Sequence, residues 1–261
     1  MATALVTGGT SGIGAAFARA LALRGYDLVI VARDEERLRE TAETLKAEGA
    51  RSVETISADL AVRADIDRIA LRVESAEQPI DFLVNNAGFG IHGSLLDRDV
   101  SVHERALSVM CLAVLVLGGA AGRAMTARQK GTILNVSSVA GGIATGDYSA
   151  VKAWTTAYTE SLAVELKGSG VQVSAVLPGW VRTEFHDRAG IRTRAIPSFL
   201  WLDADELVAE TLHDVARGAV LSVPSVRFTV LNFFIRHLPR RTIRYISGRI
   251  SSSRRNPEEH R

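Results

Sequence analysis

With 261 residues, an apolar fraction of 47% and 23% charged side chains, the chain is far from disordered composition and can bury a core of its own. A single cysteine, Cys111, excludes internal disulfides and a cysteine-built metal centre, and the six histidines show no ligand spacing, so no metal is expected. The net charge of +2 hides an asymmetry, because residues 216–261 carry ten arginines against two glutamates.

The first apolar run, 2–6, reads as a core strand and not as a secretory leader, so the expected location is the cytoplasm. It runs into Thr7-Gly8-Gly9-Thr10-Ser11-Gly12-Ile13-Gly14, a glycine cluster between a strand and a helix. Such glycines permit a tight turn and let backbone amides approach a pyrophosphate at the positive end of the helix. Ile13, Phe17, Ala20 and Leu21 then share one helical face, which stops at Gly25. A strand at 28–31 leads to Ala32-Arg33-Asp34, where Asp34 is placed to cap a helix bearing Leu38, Ala42 and Leu45.

The strand at 52–56 is followed by Asp59-Leu60, and the strand at 82–84 by Asn85-Asn86-Ala87-Gly88. The uncharged run 109–122 falls short of the ~18 residues of a membrane span and reads as a buried or interface helix. Further strands are expected at 132–136, 171–176 and 219–223. Most of these runs are continuous and rich in Val, Ile and Leu, as strands covered on both faces are. The alternation predicts an α/β, Rossmann-type, doubly wound, seven-stranded, mostly parallel sheet with helices on both faces. One domain is expected over 1–225, with a substrate lid near 180–202, and a basic helical extension over 226–261.

After the fifth strand come Ser137 and Ser138, which as neighbours on an extended segment point to opposite faces. Tyr148 and Lys152 come next, four residues apart and therefore on one face of a helix. A free phenol has a pKa of about 10. A nearby ammonium is expected to lower it toward the range useful for general acid–base work.

The Gly-x3-Gly-x-Gly loop, Asp59-Leu60, Asn85-Asn86-Ala87-Gly88, Tyr148-Ser-Ala-Val-Lys152 and Pro178-Gly179 together resemble, in order, the pattern of the short-chain dehydrogenase/reductase family over residues 2–225. The resemblance implies Ser138, Tyr148 and Lys152 as catalytic residues, with Ser137 in reserve for the serine. It implies that Gly8, Thr10, Ser11, Gly12, Ile13 and Gly14 hold the cofactor's phosphates and that Asp59 and Leu60 meet its adenine. Asn86, Ala87 and Gly88 would line the adenosine side, Pro178, Gly179, Val181 and Thr183 the nicotinamide, with Tyr148 and Lys152 also against the cofactor. Where the family's NAD users carry Asp, this chain has Ala32 followed by Arg33. A guanidinium pairs bidentately with a 2′-phosphate, so NADP(H) is expected in preference to NAD(H). Met110 stands where the family has an asparagine that organises a water chain from the lysine. A thioether cannot donate a hydrogen bond, and Met110 reads as core packing.

Trp180, Phe185, Ile196, Phe199, Leu200 and Trp201 either wall an apolar pocket or pack the lid onto the body. The expected reaction interconverts a carbonyl and an alcohol on an apolar small molecule. A 3-oxoacyl or hydroxysteroid-type reductase and a catalytically weak NADP-binding regulator are the alternatives. The resemblance also implies a homodimer or homotetramer, and no nucleic-acid motif is present. Beyond 225, Phe228, Leu231, Phe234, Ile235 and Leu238 form an approximate helical stripe, with arginines at 240, 241, 244, 249, 254 and 255. Two readings stay open: a helix packed on the body with a solvated basic end, or a surface that docks to anionic membrane lipid or an acidic acyl-carrier protein.

Overall fold

A computed structural model of the chain describes residues 2–91, 93–183 and 197–252. Residues 184–196 of the expected lid, with Phe185 and Ile196, and residues 253–261 of the tail, with Arg254 and Arg255, lie outside the described residues. Seven strands form one sheet: β1 (Thr3–Thr7), β2 (Asp27–Ala32), β3 (Val53–Ser57), β4 (Phe82–Asn85), β5 (Gly131–Val136), β6 (Val171–Val176) and β9 (Leu221–Ser222). Their order is β3-β2-β1-β4-β5-β6-β9 and every neighbouring pair is parallel. The chain reverses its direction of travel between β1 and β4, the switch point at which such sheets open a crevice for ligands.

Two-residue alternation divides the core between the two faces of the sheet. Ala4, Val6, Ile30 and Leu134 point to one side, where α1 (Gly12–Ala22) and α2 (Glu35–Ala47) cover them. Leu5, Val29, Val31 and Ile133 point to the other, under α3 (Arg63–Glu74), α4 (Ser101–Leu107), α5 (Ala113–Ala127) and α6 (Asp147–Glu165). A further helix, α7 (Ala204–Ala216), packs beside α1. The expected caps are in place: Asp34 accepts the Arg37 N–H at 3.0 Å, and Gly25 closes α1 with φ +82°.

Helices α4 and α5 are continuous through a wide turn at Ser108–Leu112, in which the Ala113 N–H reaches back five residues to the Ser108 carbonyl. The whole of Ser101–Ala127 is therefore longer than the uncharged run alone, and it is long and apolar enough to cross a membrane. More than half of its apolar window is buried inside the protein, with Met110, Leu117, Ala120 and Ala121 in the core, as in a central helix of a globular fold.

Beyond β9 the described residues form two helices that pack on the body. Helix α8 (Val226–His237) buries Phe228 and half-buries Ile235, and α9 (Arg240–Ser252) buries Ile243 and Ser247. The expected stripe is thus partly displaced. The inward register runs 228–232–235, leaving Leu231 and Phe234 on the outer side.

Candidate functional site

The glycine-rich turn is built by mutual support between the ends of β1 and β4. Thr7 Oγ1 accepts the N–H groups of Asn86 and Ala87 at 3.0 and 3.1 Å, and the Asn86 side-chain amide donates to the carbonyls of Thr7 and Gly8 at 2.9 and 3.2 Å. Gly8 and Gly12 take φ of +66° and +53°, which only glycine adopts cheaply. A Cβ on Gly14 would overlap the Gly8 carbonyl and the Asn86 amide. Thr10, Ser11 and Ile13 are partly exposed at the start of α1, whose N-terminal amides face outward over this turn. Asn86 therefore latches the loop as well as bordering it.

Arg33 is exposed at the end of β2, and Asp34 beside it is committed to its cap. Asp59 is half-buried. Both its oxygens accept from Arg105, at 2.9 and 2.8 Å, and Oδ1 also accepts from the Ala61 N–H at 3.0 Å. Burial pushes its carboxyl up, but the Ala61 N–H and the Arg105 guanidinium outweigh it and hold the group below the usual value. Leu60 is buried behind it.

At the ends of β5 and β6 the two serines part as their alternation requires. Ser137 is buried, its hydroxyl shared with the Lys152 carbonyl (2.8 Å) and Thr156 Oγ1 (2.7 Å), so it braces α6. Ser138 turns to the cleft, caps a short turn at Ala140 N (3.1 Å), donates to the Pro178 carbonyl (3.3 Å) and hydrogen-bonds the Tyr148 hydroxyl. The structure thus brings Ser138, and not Ser137, to Tyr148. Gly141 lies directly on the backbone of Lys152 and Ala153, with no room for a Cβ, which presses the loop after β5 onto α6.

Lys152 is buried, donates to the Val136 carbonyl at 2.8 Å and sits 5.7 Å from the centre of the Tyr148 ring. The structure corrects the expectation of a lowered phenol pKa. Burial pushes the Tyr148 phenol up to about 12, with only the Ser138 hydrogen bond pulling it back. The ammonium does not offset this, because it is aimed at a backbone carbonyl and is itself pushed down to about 8 by burial.

Segment 178–183 closes the cleft from the other side. Val181 is buried, Thr183 stands against Gly12, and the ring of Phe228 from α8 fills the space that a side chain at Gly179 would need. Trp180 and Trp201, paired across the two-residue strands β7 (Trp180–Val181) and β8 (Trp201–Leu202), lie 6.1 Å apart and pack on each other. Phe199 stays exposed.

Several supporting residues carry no local signal. Asn85 donates to Asn135 (2.9 Å) and Asn135 to Thr159 (2.9 Å), a buried relay that fixes α6 to the sheet. His103 places Nδ1 2.9 Å from Asp147 Oδ2 and Nε2 3.3 Å from the Ser94 carbonyl. Both partners are acceptors, so only the doubly protonated ring satisfies both, and the Asp147 contact raises its pKa. This pair abuts Tyr148 in sequence, yet its members are 44 residues apart, beyond the reach of motif reading. Met110, 1% exposed, packs at the wide turn with its sulfur facing Gly88, which accounts for it as core. Burial pushes the Cys111 thiol up to about 11, so it stays protonated.

The matches to known proteins agree with this geometry. A family model described as short chain dehydrogenase matches residues 2–192. A short chain dehydrogenase of Pseudocercospora fijiensis is 36% identical over 190 residues, covering 70% of this chain and 60% of the relative. A ketoacyl reductase of Nostoc is 33% identical over 182 residues, covering 69% of this chain and 63% of that protein. The chain thus spans about three fifths of the length of these two relatives. Among solved structures, a short-chain dehydrogenase from Sphingobium yanoikuyae in complex with NADPH superposes with a TM-score of 0.81 at 32% identity, covering 100% of this chain and 99% of that one. A bulky-bulky ketone specific alcohol dehydrogenase from Comamonas testosteroni gives 0.77 at 29% identity, covering 100% and 97%.

Proposed function

The chain belongs to the short-chain dehydrogenase/reductase family, and from that premise we propose that it is an NADP(H)-dependent oxidoreductase interconverting a ketone or aldehyde with an alcohol. The observation that carries the reading is the convergence of Ser138, Tyr148 and Lys152, with the Lys152 Nζ 5.7 Å from the centre of the Tyr148 ring, at the rim where the glycine-rich turn meets segment 178–183. The glycine-only turn at the start of α1 suits a pyrophosphate, and Arg33 at the end of β2 suits a 2′-phosphate. Gly8 to Gly14, Arg33, Asp59 with Leu60, Asn86 to Gly88, and Pro178 to Thr183 would hold NADP(H), which when bound supplies or takes the hydride.

The protein's own part is proton handling and orientation. A phenol pushed up to about 12 is protonated throughout the physiological range, so Tyr148 is ready to donate to a carbonyl oxygen, which favours reduction. The Ser138 hydroxyl fixes that oxygen. Lys152, held one helical turn from Tyr148 by the Val136 carbonyl, would bind the cofactor beside the phenol. An apolar substrate is supported by Trp180, Phe199 and Trp201 beside segment 178–183. Similarity to a ketoacyl reductase favours a 3-oxoacyl thioester as the second substrate class to test. Exposed Leu107 and Leu115 on α4 and α5 support a homodimer or homotetramer. The test is NADPH oxidation against bulky ketones and 3-oxoacyl thioesters. Tight NADPH binding with no turnover on any carbonyl overturns the enzyme reading in favour of a cofactor-binding regulator.

A further inference from the structure

The α8–α9 pair has two faces with different occupants. Its inner face is spoken for: Phe228 sits over Gly179, Ile235 lies on Gly142, Arg240 donates to the Gly142 carbonyl at 3.1 Å, and Ser247 Oγ accepts the Ala144 N–H at 3.0 Å. Among the described residues nothing packs on its outer face. Val226 is 79% exposed, Phe233 56% and Phe234 54%, with Val230 and Leu231 also exposed on the same helix. On α9, Arg241 and Arg244 are exposed beside exposed Tyr245 and Ile246. No acidic residue occurs between Asp214 and Glu258; Arg236 on α8 pairs with Glu160 of α6 at 3.5 Å, whereas Arg241 and Arg244 on α9 have no carboxylate partner among the described residues.

We infer that the outer face of α8–α9 docks on an anionic lipid surface. A scattered exposed Leu or Phe is ordinary on any protein, but adjacent phenylalanines on one helix, next to arginines and without acidic residues, form the pattern of an interfacial amphipathic element. The apolar side chains enter the acyl boundary while the arginines meet lipid phosphates, whose charge is opposite to theirs. An acidic protein would satisfy the arginines but leave the Phe233–Phe234 step in water, which is why lipid is the better fit. Because the inner face rests on the catalytic loop, the docked surface adjoins the cleft without covering its glycine-rich side. The inference concerns attachment alone and does not depend on which carbonyl is reduced.

The test is co-sedimentation of the full chain with vesicles of phosphatidylcholine, with and without phosphatidylglycerol, at low and high salt. Binding is expected only with phosphatidylglycerol and is expected to weaken with salt. The double variant Phe233→Ser/Phe234→Ser is expected to lose roughly tenfold or more in partitioning. Arg241→Ala and Arg244→Ala are each expected to lose roughly fivefold. Melting temperature and NADPH binding, measured in parallel, stay at wild-type values because all four side chains are exposed. Negligible binding of wild type to both vesicles overturns the inference. So does the Phe double variant turning a dimer into a monomer in light scattering without changing vesicle binding, or capture by an acidic carrier protein with no affinity for vesicles.

Discussion

The glycine-rich turn after β1 and the loop after β5 lie at the same end of the sheet, yet they are held by different means. The turn is shaped by backbone: two left-handed glycines, a third that admits no Cβ, and a strand-to-strand latch through Thr7 and Asn86. The loop after β5 is held by side chains from elsewhere: Ser137 on Thr156, Asn135 on Thr159, and Arg240 and Ser247 from α9. A backbone-built site announces itself as a local motif, whereas a side-chain-built one depends on partners that local spacing does not reveal.

The comparison can be broken most sharply at Tyr148. Tyr148→Phe is expected to cut kcat by roughly 10²- to 10⁴-fold while NADPH affinity stays within error; retained turnover removes the catalytic half of the contrast. Arg33→Ala is expected to weaken NADPH binding roughly 10- to 100-fold in fluorescence titration and to leave NADH binding unchanged. Equal loss for both cofactors would mean that Arg33 does not read the 2′-phosphate. On the backbone-built side, Gly14→Ala forces a methyl onto the Gly8 carbonyl, and a loss of about 1–3 kcal/mol in urea unfolding is expected.

The side-chain fasteners predict a similar or smaller cost. Thr159→Val leaves the Asn135 amide without its acceptor in a buried site, about 1–3 kcal/mol; no change would show that the relay is decorative. The smallest effect belongs to His103. Its folded pKa lies above the ordinary 6.5, so its stabilising contribution is complete below 6.5 and fades as pH rises through the folded value. Wild type should therefore exceed His103→Gln in melting temperature by more in acid than in alkali, and a pH-independent difference would exclude the charged pair.

The same contrast explains what could be read in the amino-acid order. The seven-strand sheet was legible because each strand is a short apolar run ended by turn residues, and the parallel order came from the alternation with helices. Asp34 was legible as a cap from the two glutamates after it, and the opposite facing of Ser137 and Ser138 from two-residue alternation. The wide turn at Ser108–Leu112 was not, because its residues have an ordinary helical pattern and only the hydrogen-bond reach differs. Nor was the direction of the Tyr148 shift, since spacing places the ammonium on the right face but says nothing of how deeply the fold buries the phenol. The Asp59–Arg105 and His103–Asp147 pairs escaped because each joins segments more than forty residues apart.

The ring of Phe228 over Gly179 bears on the protein's synthesis. A ribosome that has released residues 1–225 has delivered the glycine turn, the tyrosine and the lysine, but not the aromatic plug on which segment 178–183 rests. The nascent chain can therefore collapse its sheet early while the support beneath Gly179 waits for helix α8 to emerge. Shortening the chain from its far end would undo a feature belonging to residue 179.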